Sequence, residues 1–305
     1  MQKDNILTNR VETVAQSHQL LGIEKPKHPL FSILRFEDMA QISNDVRRRL
    51  IFDFYQIVLK KDCPGKLQYG QTIYDFDEGV MSFFAPQQVS ILEPGEVLAK
   101  SGWLLNIHPD FFRTHTLGHK IRDYGFFDYA VNEALILSEE EEKSIETIFQ
   151  QIEKEYNLPI DNFSQDVVIS NIELLLTYCN RYYTRQFILR KPHNQGLLGK
   201  FENVLNDFFE KDTQEKGLPT VSYLAGELNL SAKYLSDCLK NISGQNTQQH
   251  IHNKLIEKAK EKLSTTDLSV NEIAYQLGFE YPQSFSKLFK TKTSLSPLEF
   301  RQSFN

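Results

Sequence analysis

Cysteine is scarce in this sequence. Its three cysteines, Cys63, Cys179 and Cys238, lie far apart and form no CxxC pair. A set that is odd in number and widely spaced predicts neither a disulfide framework nor a zinc site. We therefore expect reduced thiols, no bound metal and no other cofactor.

Long apolar runs are absent as well. No stretch approaches the roughly 18 apolar residues that a membrane-spanning helix needs. The opening segment, MQKDNILTNRVETVAQ, has no apolar core of the kind that defines a signal peptide. These two absences predict a cytoplasmic protein without a membrane partner.

The chain as a whole has no excess of basic residues, and its formal net charge is −6. Taken alone, this argues against a polyanionic partner, because lysine and arginine neutralise phosphates. From Val221 to Asn305, however, ten basic residues stand against eight acidic ones. This region is only weakly basic, so a nucleic-acid function must be judged from its residue pattern.

Motifs of catalysis are missing too. The sequence contains no GxSxG motif, no Walker phosphate loop and no zinc-protease motif. A metal-dependent β-barrel enzyme is an alternative, but it needs two or three histidines and a carboxylate on neighbouring strands. His250 and His252 lie two apart in a predicted helix and so do not share a face. We predict a protein that is not an enzyme, with no catalytic and no metal-binding residues.

The pattern of turns and apolar residues divides the chain into two parts. Residues 28–110 contain short β-branched and aromatic runs separated by turns such as CPGK and EPGE, which is typical of a small barrel or sandwich. Helical periodicity begins at Ser138 and returns from about Ser164 to Tyr183. The polar stretch RKPHNQG then indicates a linker. We predict an α+β two-domain chain, with a β-rich domain and two helices at 1–189, a linker at 190–198 and an all-α domain at 199–305.

The last 85 residues contain an internal repeat. Each copy has apolar positions at i, i+3, i+4 and i+7, then Asn229 or Gly278, which tolerate left-handed geometry, and then a second amphipathic helix. Five positions recur 49 residues later, Val221, Leu224, Ala225, Leu228 and Leu230 as Val270, Ile273, Ala274, Leu277 and Phe279. Three recur 50 residues later, Leu235, Leu239 and Lys240 as Phe285, Phe289 and Lys290. The repeat predicts helix-turn-helix units at 221–240 and 270–290.

A helix is predicted between the two copies, from Thr247 to Ser264. At ~1.5 Å per residue it spans roughly 27 Å. With its flanking packing, that length places two recognition helices near one DNA turn apart, about 34 Å. One chain would then read two successive major-groove segments.

Two segments, IAYQLGF at 273–279 and SPLEFR at 296–301, are distinctive, as are single residues that include Lys254, Leu255 and Ala259. Through these residues the sequence resembles the AraC/XylS transcription regulators over residues 200–305. The upstream half resembles a cupin-like effector barrel, most clearly at DEGVMSFFAP. The resemblance implies a sequence-specific transcription regulator that binds double-stranded DNA, with a small-molecule effector and RNA polymerase as further partners. A DNA-binding protein without an effector is the other alternative.

The outward positions of the two recognition helices are the predicted DNA contacts. They are Lys233, Ser236, Asp237 and Lys240 on the first helix, and Gln283, Ser286, Lys287 and Lys290 on the second. Glutamine pairs with adenine, and lysine reaches guanine or phosphate. Such residues can equally be solvated surface. Two departures from the family pattern stand out. Tyr281 replaces a small capping residue. Asp237 would repel phosphate or accept from a cytosine amino group, and a neutral or packing role is an equal alternative.

Two further sets of residues are predicted in the first domain. Aromatic and polar side chains of the strands suggest an effector pocket, lined by Tyr69, Tyr74, Phe76, Trp103 and His108. The alternative is that these rings fill the barrel interior. The helix at 164–183 has more apolar residues than one stripe needs, which favours a homodimer through Ile172, Leu175, Leu176, Cys179 and Tyr182. A broad face buried against the barrel is the alternative there.

Overall fold

The structure is a computed structural model, which describes residues 7–39, 48–61, 67–69, 72–74, 79–92, 101–130, 133–189, 191–211 and 217–303. The chain divides into two compact units, Met1–Gln186 and Phe187–Asn305. Each unit has a core of its own, the first built on sheets and the second on helices.

The N-terminal unit is rich in short strands. Its strands are β1 Leu7–Val11, β2 Phe31–Arg35, β3 Arg48–Phe52, β4 Tyr55–Lys61, β5 Leu67–Tyr69, β6 Thr72–Tyr74, β7 Val80–Phe84, β8 Val89–Leu92, β9 Ser101–Ile107 and β10 Leu135–Ile136. Its helices are α1 Val14–Leu20, α2 Thr116–Lys120, α3 Glu139–Asn157 and α4 Ser164–Leu189, which continues into the second unit.

These strands form three separate sheets. A five-stranded antiparallel sheet has the order β10-β7-β4-β9-β2, a three-stranded sheet has the order β1-β3-β8, and β5 pairs with β6. The predicted β-rich character is confirmed. Among the described residues, however, no sheet closes into a barrel.

One face of the five-stranded sheet is covered by the two long helices. Trp103 of β9 stacks on Phe149 of α3 with ring centroids 5.8 Å apart. Helix α4 packs against β7, where the Cys179 Sγ lies 3.7 Å from the Met81 Sδ. The stripe predicted for α3 is buried as its spacing requires, and it consists of Ile145, Ile148, Phe149 and Ile152.

The C-terminal unit consists of helices around one apolar core. They are α5 Lys191–Lys211, α6 Val221–Glu227, α7 Ala232–Ser243, α8 Thr247–Thr265, α9 Val270–Gln276, α10 Pro282–Thr293 and α11 Pro297–Gln302. The predicted all-helical domain is confirmed. The segment predicted as a linker, residues 190–198, is helical from Lys191 onward, because polar composition predicts exposure to water and does not exclude a helix.

The structure describes two of the three cysteines. Cys179 and Cys238 are both buried, and neither is in a disulfide. Burial raises the pKa of the Cys179 thiol far above its ordinary value, so this thiol stays protonated. Cys63 lies outside the described residues.

Candidate nucleic-acid interface

Helices α6 and α7 form the first helical hairpin. Helix α6 begins at its N-cap Thr220, and a tight turn follows Leu228. In that turn Asn229 has a φ of +55°, and the Leu230 N–H donates to the Ala225 carbonyl at 2.9 Å. Helix α7 then starts with the N-cap hydroxyl of Ser231.

Helices α9 and α10 repeat this arrangement. Ser269 opens α9 with a capping box, and Gly278 adopts the left-handed conformation at a φ of +87°. The Phe279 N–H donates to the Ala274 carbonyl at 3.0 Å, which matches the bond in the first hairpin. Helix α10 has Pro282 at its start, and Tyr281 provides no side-chain cap. The predicted repeat is therefore present in backbone geometry as well as in sequence.

The inserted residue of the second copy lies in its turn. Helices α6 and α9 start 49 residues apart, whereas α7 and α10 start 50 residues apart. Each second helix is anchored by two buried side chains one turn apart, Leu235 and Leu239 in α7, and Phe285 and Phe289 in α10. This burial fixes which side of each recognition helix faces water.

Helix α10 presents an uncrowded polar face. Gln283, Lys287 and Lys290 are exposed, and Ser286 is half-buried beside them. The predicted outward orientation of these side chains agrees with their burial. Such a face offers an amide for base edges and ammonium groups for guanine or phosphate.

Helix α7 differs from α10 in how its polar residues are held. Lys233 and Lys240 are exposed, but the Lys233 Nζ lies 3.2 Å from the Asp237 Oδ1. The Ser236 hydroxyl donates to the Oγ1 of the buried Thr247 at 3.0 Å. Ser236, which the sequence predicts to face outward, thus holds α7 against α8, because its helical position borders the buried Leu235.

The linking helix α8 has 19 residues and so spans about 28 Å. His250 and His252 on this helix have separate partners, the Ser243 hydroxyl at 2.8 Å and the Gln248 amide at 2.9 Å. Burial lowers the pKa of both histidines, which keeps the imidazoles neutral near pH 7. The two imidazoles therefore contact different partners.

Comparison with known proteins bears on this unit. A family model described as a helix-turn-helix domain matches residues 224–303. The uncharacterized HTH-type transcriptional regulator YisR of Bacillus subtilis is 34% identical over 83 residues, which cover 27% of this chain and 29% of YisR. The HTH-type transcriptional activator RhaS of Salmonella dublin is 22% identical over 256 residues, 82% of this chain and 86% of RhaS.

The crystal structure of the C-terminal domain of the response regulator yesN from Fusobacterium nucleatum is similar as well. It is 34% identical, covers 33% of this chain and 96% of that domain, and has a TM-score of 0.30. By the family match, residues 224–303 form a helix-turn-helix domain. It spans less than a third of the length of YisR, so the match to that relative concerns this domain alone.

Outside the helix-turn-helix domain, the predicted effector residues are only partly described. Trp103 is buried beneath α3 with the Arg35 guanidinium 5.2 Å from its ring centroid. The His108 Nδ1 accepts a hydrogen bond from the Asp110 N–H at 3.2 Å. Tyr69 and Tyr74 lie in β5 and β6, with side chains outside the described set, and Phe76 lies outside the described residues. Trp103 therefore packs in the core, and His108 caps the turn that follows it.

The N-terminal unit has a cavity that the sequence did not indicate. It measures about 690 Å³ and lies between α1, β2 and α3. Polar groups line it in fixed pairs: the Arg35 Nε donates to the Glu153 Oε1 at 2.6 Å, and the Lys27 N–H donates to the Tyr156 hydroxyl at 2.8 Å. These residues come from segments more than a hundred positions apart, so no local pattern could have revealed the cavity.

The residues predicted for dimerisation are buried inside the protomer. Ile172, Leu175, Leu176 and Cys179 have no exposed area, and Tyr182 is 8% exposed. A surface closed in this way is not available to a second copy, and the alternative of a broad face packed on the sheet describes it better. Among the described side chains of α4, Val167 and Leu174 are the large apolar ones that are exposed.

Two further findings concern sites of other kinds. Within the described ranges, no group of three or more histidine, cysteine, aspartate or glutamate side chains could hold a metal ion. None of the helices in that part of the chain is long and apolar enough to cross a membrane.

Proposed function

We propose that this protein is a sequence-specific transcription regulator that binds double-stranded DNA through its AraC-type domain. The observation that carries the proposal is the duplicated helical hairpin, whose copies are joined by α8. A linking helix of about 28 Å suits two recognition helices placed one DNA turn apart, about 34 Å. Helices α7 and α10 would then enter successive major-groove segments on one face of the duplex.

The experiment is in-vitro selection of bound DNA from a random pool with the full-length chain. Gln283→Ala should then weaken binding to the selected site by about 1–3 kcal/mol for a base contact, and Lys287→Ala should weaken it through the loss of a base or phosphate contact. Lys254→Ala is the matched control, because Lys254 lies on α8 and pairs with Glu257 at 3.2 Å. Equal and negligible losses in all three variants would refute the docking geometry.

We further propose that the protein forms a homodimer through the outer side of α4. The support is an exposed apolar row that begins at Phe163 just before the helix and continues through Val167 and Leu174 at helical spacing. Exposed apolar side chains in a row are typical of an interaction surface. Val167→Asp with Leu174→Asp should yield a folded monomer in sedimentation. The control Asn180→Asp, at an exposed position about 120° around α4 from Leu174, should stay a dimer. A monomeric unmutated protein at micromolar concentration would refute this proposal.

A small-molecule effector is the remaining part of the proposal, and the cavity between α1, β2 and α3 is its proposed site. The mixture of an apolar wall and paired polar groups suits a small organic ligand. A metabolite that binds there should raise the melting temperature, and Leu34→Trp, whose larger side chain narrows the cavity, should abolish the shift. A shift that survives Leu34→Trp would refute this placement. The cupin-like barrel itself stays a prediction.

A further inference from the structure

We infer that the two recognition helices contribute unequally to DNA binding, and that Asp237 is a specificity-determining residue. Helix α10 anchors the domain on phosphate, whereas α7 carries a carboxylate that lowers affinity for DNA in general and favours a cytosine. This inference rests on the proposed function and assigns the two copies of the repeat different tasks within it.

The first observation is a reversal of charge at equivalent positions. The offset of 50 residues that relates α7 to α10 pairs Ser236 with Ser286 and Lys240 with Lys290. The same offset pairs Asp237 with Lys287. One outward position of the repeat thus carries a negative charge in the first copy and a positive charge in the second.

The second observation is the difference in total charge between the helices. Helix α10 contains three lysines and no acidic residue, and none of the ion pairs among the described residues of this unit includes one of those lysines. Helix α7 contains two lysines and Asp237. Because phosphate contacts depend on unneutralised lysine and arginine, α10 is the stronger anchor.

The third observation is that Asp237 is held in place. Its side chain is 24% exposed and lies one helical turn from Lys233, whose Nζ is 3.2 Å from the Asp237 Oδ1. The pair offsets the charge of Lys233 and leaves Lys240 as the main phosphate contact of α7.

A carboxylate fixed on this side of α7 has one favourable partner among base edges. Carboxylates accept only, and the major-groove donors are the N4 amino group of cytosine and the N6 amino group of adenine. The N7 acceptor beside N6 of adenine repels a carboxylate, so cytosine is the favoured partner. Asp237 therefore favours cytosine and is repelled by phosphate everywhere else along the duplex. Its position adds discrimination at the expense of general affinity.

The experiment compares Asp237→Asn, Lys287→Gln and the control Glu257→Gln in the full chain. Glu257→Gln also removes a carboxylate from an ion pair, but on α8. Dissociation constants are measured for the selected site and for an unrelated duplex over a salt series. Lys287→Gln should weaken binding to the unrelated duplex roughly five- to tenfold near 0.1 M salt. It should also reduce by about 1 the slope of the logarithm of affinity against the logarithm of salt concentration.

Asp237→Asn should have the opposite effect on binding to the unrelated duplex. Removing the carboxylate frees Lys233, so affinity should rise severalfold and the salt slope should steepen. At the selected site, the preference for cytosine at one position should fall. Lys233→Gln should cost little in the native chain, because its charge is offset there, and as much as Lys287→Gln in the Asp237→Asn background.

A gain of affinity cannot result from misfolding, and Asp237→Ser provides a second variant if Asp237→Asn melts early. An unchanged or weakened affinity of both Asp237 variants for unrelated DNA would overturn the inference. So would equal losses from Lys233→Gln in both backgrounds. Failure of the unmutated chain to bind any duplex would instead refute the proposed function.

Discussion

Gly278→Ala tests the turn on which the second helix-turn-helix unit depends. Gly278 has a φ of +87°, and a Cβ built there would lie 2.7 Å from the Gly217 carbonyl carbon and 2.8 Å from its oxygen. A left-handed conformation costs an alanine about 1–2 kcal/mol. Because the obstacle is backbone, overpacking adds about 1–3 kcal/mol. We expect a loss of about 2–5 kcal/mol in the free energy of unfolding of the C-terminal unit.

Gly244→Ala is the matched control for this prediction. Gly244 has a similar φ of +76° at the end of α7, but an added Cβ would meet open space. Gly244→Ala should therefore lower the free energy of unfolding only by the conformational cost of about 1–2 kcal/mol. Asn229 stands at the equivalent turn of the first copy with a φ of +55°, which shows that a side chain is accommodated there.

The assay is urea unfolding of the full chain, followed by two probes. Helical circular dichroism reports on both units, whereas fluorescence of Trp103, the single tryptophan of the sequence, reports on the N-terminal unit. Gly278→Ala should shift the helical transition to lower urea and leave the tryptophan transition in place. If Gly278→Ala lowered the free energy of unfolding by no more than Gly244→Ala does, the close approach of the two backbone segments would not be the cause.

The remaining predictions concern caps and core. Ser269→Ala should cost about 1 kcal/mol through loss of the α9 cap, measured by thermal melting. The hydrogen bond with Ser269 lowers the pKa of Glu272. The stability that this carboxylate contributes is therefore present above the ordinary carboxylate pKa and is lost as the pH falls. If the stability of Glu272→Gln varied with pH as that of the native chain does, this prediction would be contradicted. Ser236→Ala should lower the free energy of unfolding by about 1–3 kcal/mol, because it leaves the buried Thr247 hydroxyl without its partner. An unchanged stability would show that Ser236 does not hold α7 against α8. Leu175→Ala should cost about 2–5 kcal/mol in urea unfolding of the N-terminal unit, whereas a dimer contact would leave the unfolding of the monomer unchanged.

Much of the helix-turn-helix domain could be predicted from the sequence, because its signals are local. Apolar residues at helical spacing, such as Leu224 and Ile273, fall on the buried face wherever the helix packs. Capping residues such as Ser269 act within three positions of themselves. Turn geometry at Asn229 and Gly278 follows from the few residues that tolerate a positive φ.

Sequence alone therefore determined the order of helices, the repeat, its two turns and most of the outward positions of α7 and α10. Tertiary structure decided what depends on contacts between distant segments. The Ser236 hydroxyl turns inward because α8 brings Thr247 to it. Leu175 belongs to the core because the sheet covers the face of α4 on which it lies, and the cavity beside Arg35 exists because α3 brings Glu153 to β2. Periodicity shows that a face is apolar or polar, but only the packing of the chain on itself determines which element covers it.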